Sequence, residues 1–355
     1  MTGNRRWLAL LAAVLIAALA GVAFWLWPDN QAAKDAAIPS PSAPSSSATA
    51  STGTGTASAS AEPVPSATPA SKQRMLLGTY ISLSGKSTEA AIEQREAAMG
   101  HRYNLQLTYY NWDDQFPDAG ESTIVAHGRT PLVTWYGPGK DADDHRTLAE
   151  VNDGSDDRWI TQQADAIKDF GHRIYLRLMP EMNGNWYHGF SGDPSAYIKA
   201  WQHIHRLFAQ AGATNVTWVW CPNNGPADWG KYYPGNAYAD IIGVDGFSNV
   251  GYGYQSFEQM FGQFFSQFAG RRPLMVVETA TNAGAGAPAH GIASAASFID
   301  GMHTYLKEVA GPKYGVVAVC WFDTNDTDGI DWSLSQTPAS WQAWLSLARD
   351  LYFGG

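Results

Sequence analysis

The stretch Arg173–Tyr187 reads Arg-Ile-Tyr-Leu-Arg-Leu-Met-Pro-Glu-Met-Asn-Gly-Asn-Trp-Tyr, an apolar run that ends in a carboxylate followed by polar and aromatic side chains. That carboxylate is Glu181, and Glu278 closes a second apolar run, Pro273–Glu278. A carboxylate at the carboxyl end of a buried strand is poor material for a core and suits a cleft. Two such residues predict an acid and a nucleophile, the pair that cleavage of a glycosidic bond requires.

Eight short apolar runs between residues 74 and 355 predict parallel strands separated by helices. The predicted strands are Met75–Ser82, Tyr103–Thr108, Pro131–Trp135, Arg173–Leu178, Val216–Trp220, Ile241–Asp245, Leu274–Glu278 and Val316–Trp321. The predicted helices are Thr88–Met99, Asp157–Phe170, Pro194–Ala211, Phe257–Phe268, Ala293–Val309 and Ser340–Leu351. This alternation favours an α/β fold of the closed (β/α)8 TIM-barrel type over an open sheet. Glu181 then follows strand four and Glu278 ends strand seven, which places both on the carboxyl-terminal face.

Two segments precede this barrel domain of residues 74–355. Residues 1–27 carry Arg5 and Arg6 ahead of an uncharged apolar stretch that is long enough to span a bilayer, which predicts a signal anchor or a signal peptide. Residues 28–73 are dominated by Ala, Ser, Thr and Pro and predict a disordered linker. In both cases we expect the barrel outside the cytoplasm, anchored to the membrane if the first segment stays uncleaved and secreted if it is removed.

The composition is aromatic and acidic, with 15 Trp, 16 Tyr and a formal net charge of −10. Sugar rings present apolar C–H faces that stack on aromatic planes, so such a chain suits a neutral polysaccharide. Trp135, Trp186, Tyr187 and Trp220 are the aromatic candidates for substrate contact, although for any single Trp a core position is the competing interpretation. Nucleic acid is excluded as a partner, because the chain is net acidic and has no cluster of Lys and Arg.

Four motifs that occur in order carry a resemblance to a known family. They are the Arg-x-x-x-Glu-Met-Asn-Gly-x-Trp-Tyr motif of Arg177–Tyr187, the segment Trp218–Asn223, the segment Tyr232–Gly246 and the glutamate that ends strand seven. The chain resembles glycoside hydrolase family 26, which includes β-mannanases, β-1,3-1,4-glucanases and β-1,3-xylanases. The resemblance covers nearly all of residues 74–355 and implies a clan A barrel that hydrolyses β-mannan or β-1,3-1,4-glucan with retention of configuration.

The resemblance also implies roles for single residues. Glu181 matches the acid/base of the family and Glu278 matches its nucleophile. Arg177 matches an active-site arginine, and Trp321 matches the aromatic floor of the subsite at the cleaved bond.

This chain departs from the family pattern at two positions. Pro180 stands where the family has a histidine before the acid/base, and Phe247 stands where a tyrosine hydroxyl touches the nucleophile. Asn223 is the candidate replacement for the histidine contact, and Tyr252 or Tyr254 is the candidate source of the hydroxyl. Both carboxylates are intact, so these changes bear on substrate identity more than on reaction type.

The sequence therefore predicts a monomeric, endo-acting β-glycan hydrolase without a cofactor or a metal site. The alternative is a carbohydrate-binding surface protein on the scaffold of a former enzyme. The two cysteines, Cys221 and Cys320, lie on strands five and eight, which are not neighbours in the predicted barrel. Since a disulfide needs α-carbons within about 7 Å, we expect both thiols to be free.

Overall fold

A computed structural model describes residues 74–354, apart from residues 142, 251–252, 284–291 and 326–329. The predicted signal segment (1–27) and linker (28–73) lie outside the described residues. Across the ranges that are described, none of the helices is both long and apolar enough to cross a membrane.

Eight parallel strands form a closed barrel in chain order, β1 to β8, and β1 pairs with β8 to close it. The strands are β1 Leu76–Ser82, β2 Leu105–Tyr110, β3 Thr130–Trp135, β4 Ile174–Leu178, β5 Val216–Trp220, β6 Ile241–Ser248, β7 Leu274–Thr281 and β8 Val316–Thr324. The predicted TIM barrel is confirmed. Strands β6, β7 and β8 each run three residues further than predicted, so Glu278 lies inside β7 and does not end it.

Helices surround the barrel and bury their apolar faces against it. They are α1 Thr88–Met99, α2 Ala119–Ala126, α3 Ala149–Asp153, α4 Asp157–Phe170, α5 Pro194–Ala211, α6 Phe257–Phe268, α7 Ala295–Tyr305 and α8 Pro338–Ala348. A π-helical segment, Leu306–Tyr314, follows α7, and a 3₁₀ turn spans Trp229–Tyr232. Side chains of the preceding residues accept hydrogen bonds from the first turns of six helices, at Ser87, Asp118, Asp193, Ser256, Ser294 and Thr337.

The alternation of side chains along each strand separates two cores. One set fills the barrel interior, and it includes Leu105 and Leu107 of β2, Val219 of β5 and Val277 of β7. The other set faces the helices and forms the larger core between the barrel and the helical layer. Successive residues of a strand point to opposite sides, so the parity of a residue decides whether it can reach the barrel mouth.

Strand β7 breaks this alternation at the predicted catalytic carboxylate. Val244 of β6 pairs with Val276, but the next residue, Asp245, pairs with Glu278, so β7 contains one extra residue. The pairing with β8 is irregular over the same stretch. Such a bulge lets consecutive residues of β7 point to the same side. Val277 therefore packs inside the barrel, while Glu278 also faces inward and reaches the mouth.

Candidate active site

Glu181 lies on a tight turn after β4 whose backbone is unusual. Met179 and Glu181 have positive φ angles of 41° and 54°, and Pro180 stands between them. Non-glycine residues in this region cost free energy and persist only where the surroundings hold them. The backbone N–H of Glu181 donates to the Cys221 carbonyl at 2.8 Å. The side-chain Nδ2 of Asn183 donates to the Asn223 carbonyl at 2.9 Å. The β5 loop therefore fixes the turn that presents Glu181.

The Glu181 carboxyl is half-buried beside two donors, Asn223 and Trp186. The Asn223 Nδ2 donates to Oε1 at 2.7 Å, and the Trp186 indole also bonds to the carboxyl. Burial raises the pKa of Glu181, the nearby negative charge of Glu278 raises it further, and the two donors oppose the rise. The environment therefore favours the protonated form, which is the form that a general acid needs.

Glu278 lies in a different environment, where hydrogen-bond donors surround its carboxyl group. The Arg177 Nη1 donates to its Oε1 at 2.7 Å, and the Tyr109 hydroxyl donates to the same oxygen. Arg177 comes from β4 and Tyr109 from β2, so the donors reach Glu278 across the barrel mouth. A charged donor and a neutral donor therefore converge on one oxygen of Glu278.

Arg177 is shared between two acidic side chains. Its Nη2 pairs with Asp245, which is completely buried, while its Nη1 bonds to Glu278 and to the Thr134 hydroxyl. Burial alone would lower the pKa of Arg177, but Asp245 and Glu278 together raise it well above its usual value. One guanidinium thus balances two carboxylates, whereas Glu181 forms no ion pair with any residue that the structure describes.

Aromatic side chains form an arc along the mouth from β8 to the loop after β4. Tyr80 stacks on Phe322 with ring centroids 5.0 Å apart and meets Tyr109 edge-on at 5.1 Å. The arc continues from Tyr109 to Tyr136 at 6.3 Å and from Tyr136 to Tyr187 at 5.5 Å. Tyr80 and Tyr109 are half-buried and offer apolar ring surface of the kind on which sugar rings stack, whereas Phe322, Tyr136 and Tyr187 are at most 4% exposed.

Phe247 belongs to this mouth as a half-exposed ring. It packs edge-on against Phe322 at 5.5 Å and against Trp332 at 5.3 Å. The position therefore contributes an apolar ring to the mouth.

Three predicted substrate contacts are wrong, because their side chains point to the helices. Trp135 stacks on Trp112 with centroids 4.5 Å apart, and Trp220 packs against Phe268 at 5.4 Å. Trp321 packs against Trp344 at 5.8 Å. Each of the three is one position out of phase with a residue that faces the interior, so all three belong to the outer core.

The structure brings together six of the predicted site residues: Glu181, Glu278, Arg177, Asn223, Trp186 and Tyr187. Tyr252 lies outside the described residues. The hydroxyl on Glu278 comes from Tyr109, a residue that the sequence prediction missed. A parity count along β2 would have found it, because Tyr109 alternates in phase with Leu105 and Leu107, which face the interior.

Cys221 and Cys320 are free thiols, as expected, and both lie inside the barrel. Gly78 makes room for Cys320, because a Cβ at position 78 would come within 2.2 Å of the Cys320 sulfur. Burial raises the pKa of both thiols well above the usual value, so neither is a reactive thiolate.

A group of potential metal ligands lies away from the mouth, although the histidine spacing in the sequence did not indicate one. Ligand atoms of Glu89, Glu93 and His127 lie within 4.8 Å of one another. Both oxygens of Glu89 already accept hydrogen bonds from Arg129. The Arg129 guanidinium therefore already binds the Glu89 carboxylate of this group.

Residues 144–307 match the sequence model described as Glycosyl hydrolase family 26. The matched range contains Arg177, Glu181, Asp245 and Glu278, the residues that the barrel mouth brings together. This part of the chain is therefore similar to glycoside hydrolase family 26.

Two curated relatives are 28% and 29% identical to this chain over the residues that align. It is 29% identical over 278 residues to Endoglucanase H of Acetivibrio thermocellus, in a match that covers 72% of this chain and 29% of that protein. It is 28% identical over 122 residues to a mannan endo-1,4-beta-mannosidase of Bacillus subtilis, covering 32% of this chain and 31% of the relative. The chain thus spans less than a third of the length of either relative.

Solved structures share the barrel at low sequence identity. An endo-beta-1,4-mannanase double mutant of Cellulomonas fimi superposes with a TM-score of 0.58 at 15% identity, over 80% of this chain and 72% of that one. A beta-mannanase from a symbiotic protist of the termite Reticulitermes speratus, complexed with gluco-manno-oligosaccharide, gives 0.56 at 16% identity, over 80% and 89%. At these identities the likeness establishes the fold.

Proposed function

We propose that this chain is a retaining, endo-acting β-glycan hydrolase in which Glu181 is the acid/base and Glu278 is the nucleophile. The observation that carries the proposal is the contrast between the two carboxyls. Glu181 is half-buried with a raised pKa, whereas Glu278 accepts hydrogen bonds from a guanidinium and a phenol. A carboxyl with a raised pKa suits the acid, and a carboxyl that a guanidinium and a phenol hold in place suits the nucleophile.

The reaction proceeds in two displacements. Glu278 attacks the anomeric carbon and forms a glycosyl ester while the glycosidic C–O bond breaks, and Glu181 gives its proton to the leaving oxygen. Glu181, now ionised, takes a proton from water, and that water attacks the anomeric carbon and releases Glu278. Loss of the Glu181 proton is tolerated at this stage because Glu278 is then an uncharged ester.

The substrate is a β-linked polysaccharide, with β-mannan and β-1,3-1,4-glucan as the two candidates. The aromatic arc and the net acidic chain suit a neutral glycan. Relatives named Mannan endo-1,4-beta-mannosidase and Endoglucanase H support a mannan and a glucan as the candidates. Reducing-sugar release from mannan, mixed-linkage glucan, xylan and curdlan identifies the glycan, and binding without release from any of them would support the non-catalytic alternative.

The roles of the glutamates are tested by azide rescue of Glu181→Ala and Glu278→Ala on an activated aryl β-glycoside. Glu181→Ala retains the first step, because this leaving group needs no proton, and azide should give a β-configured glycosyl azide. Glu278→Ala has no nucleophile, and azide should give the α-configured product. The same product from both variants would refute the assignment.

The enzyme is proposed to act outside the cytoplasm, on the basis of the apolar segment in residues 1–27. A reporter that is active only after export, fused behind residue 73, tests this location. An inactive reporter that accumulates in the cytoplasm would contradict it.

A further inference from the structure

Tyr109 is held rigidly at the barrel mouth. Its ring lies between Tyr80, which meets it edge-on at 5.1 Å, and Tyr136, which stacks on it at 6.3 Å. The side chain belongs to the interior-facing set of β2, so its hydroxyl points across the barrel to β7. The ring contacts therefore fix the hydroxyl against Glu278.

The donors to Glu278 converge on one of its two oxygens. The Arg177 Nη1 and the Tyr109 hydroxyl both donate to Oε1. Within the described part of the chain, no hydrogen bond is made to Oε2. A carboxylate held by two fixed donors on one oxygen cannot rotate freely, and its second oxygen stays available to the cleft.

We propose that Tyr109 is a positioning residue which, together with Arg177, holds Oε1 of Glu278 so that Oε2 is the atom that attacks the anomeric carbon. This inference rests on the proposed function, because it requires Glu278 to be the nucleophile. It also explains how the chain tolerates Phe247: the hydroxyl on the nucleophile comes from β2, opposite the strand that carries Phe247.

The two oxygens have separate tasks in the first displacement. Oε2 forms the bond to the anomeric carbon, the glycosidic C–O bond breaks, and the proton of Glu181 goes to the leaving oxygen. Oε1 becomes the carbonyl oxygen of the ester and keeps its two donors. Water attack in the second displacement returns the bonding electron pair to Oε2.

The ionisation state of Tyr109 suits this task. Burial and the adjacent charge of Glu278 raise the pKa of Tyr109 well above its usual value, so the phenol keeps its proton and donates. The other ionisable groups around Glu278 include Arg177, Asp245, Glu181, Tyr136 and the thiols of Cys221 and Cys320. Tyr109 is the neutral donor among them that contacts Oε1.

The test compares Tyr109→Phe with Tyr110→Phe, a matched control on the same strand. Tyr110 also donates to a glutamate, Glu121, at 2.6 Å, but it faces the outer layer. Tyr109→Phe should lower kcat/KM for an aryl glycoside by about 10-fold to 100-fold and move the acidic limb of its pH profile up by about one unit, because the ionised carboxylate loses a donor. Tyr110→Phe should leave that limb in place.

An unmoved acidic limb in Tyr109→Phe, or an equal movement in both variants, overturns the proposal. If Tyr109→Phe does not fold, 3-fluorotyrosine at position 109 replaces it: this more acidic donor should move the limb to lower pH, and no movement counts against the proposal. A crystal structure of the wild-type enzyme trapped with a 2-deoxy-2-fluoro glycoside should show the ester on the oxygen that Tyr109 does not contact. An ester on the contacted oxygen overturns the assignment of Oε2. Inactivity of the wild-type enzyme on every glycan would instead refute the proposed function.

Discussion

Replacement of Arg177 by methionine should be among the most damaging single changes in this protein. The guanidinium is 2% exposed and lies between Asp245, at 0%, and Glu278, at 8%. Methionine has a similar length but no charge, so both carboxylates would lose their cation inside the protein. Removal of one partner from a buried ion pair costs about 3–5 kcal/mol, because the remaining charge is uncompensated.

The assay is urea unfolding followed by tryptophan fluorescence, with the free energy of unfolding obtained by linear extrapolation. Arg129→Met is the matched control. Arg129 is 3% exposed and also pairs with two carboxylates, but the side chains of those partners, Glu89 and Glu96, are 26% and 11% exposed. Water can solvate the partners of Arg129 better, so this control should lose less stability and should keep its kcat.

A second variant separates charge from shape. Arg177→Met combined with Asp245→Asn removes one of the two uncompensated charges, so it should be more stable than Arg177→Met alone by about 1–3 kcal/mol. The activity should remain at least about 100-fold below that of the wild-type enzyme, because Glu278 still lacks its charged donor. The reasoning is refuted if Arg177→Met costs less than about 1 kcal/mol, or if it costs no more than Arg129→Met.

Three further predictions concern the mouth of the barrel. The basic limb of the kcat/KM profile, which reports the loss of the Glu181 proton, should lie above the usual glutamate pKa of 4.5. Asn223→Ala should move this limb higher, since Asn223 bonds to the carboxyl and lowers its pKa; a limb at or below 4.5 contradicts the assignment. Phe247→Tyr should leave the activity similar or higher, because the ring is half-exposed and keeps its volume; a loss beyond about 100-fold, roughly 2.7 kcal/mol, would show that the position has another role. Trp321→Phe should lower the melting temperature and leave KM unchanged, whereas Trp186→Phe should move the basic limb higher, because the Glu181 carboxyl loses a donor. A raised KM with an unchanged melting temperature in Trp321→Phe would contradict its placement in the outer core.

The barrel could be predicted from the sequence because its strands are continuous apolar runs with clear breaks between them. The predicted helices Thr88–Met99, Asp157–Phe170, Pro194–Ala211 and Phe257–Phe268 agree residue for residue with the structure, since capping side chains and glycines mark most of their ends. The extension of β7 past Glu278 was missed, because a polar residue at the end of an apolar run is also what a strand terminus looks like. Only the pairing of β7 with β6 shows that the strand continues to Thr281.

The site was predicted less completely, for two physical reasons. Trp135 and Trp220 were assigned to the cleft as aromatic residues near strand ends, and Trp321 was assigned to it from the family resemblance. Each lies one residue out of phase with an interior position, and a one-residue difference reverses the face of a strand. Parity alone could have corrected these three and would have found Tyr109. Parity would also have misplaced Glu278, because Val277 faces the interior and the next residue should then face the helices. The bulge in β7 reverses that expectation, and it arises from the register against β6 and β8, which no local run of residues encodes. The pairing of β7 with its neighbours in the closed sheet therefore determines where Glu278 points. The alternation of side chains along β2 alone determines where Tyr109 points.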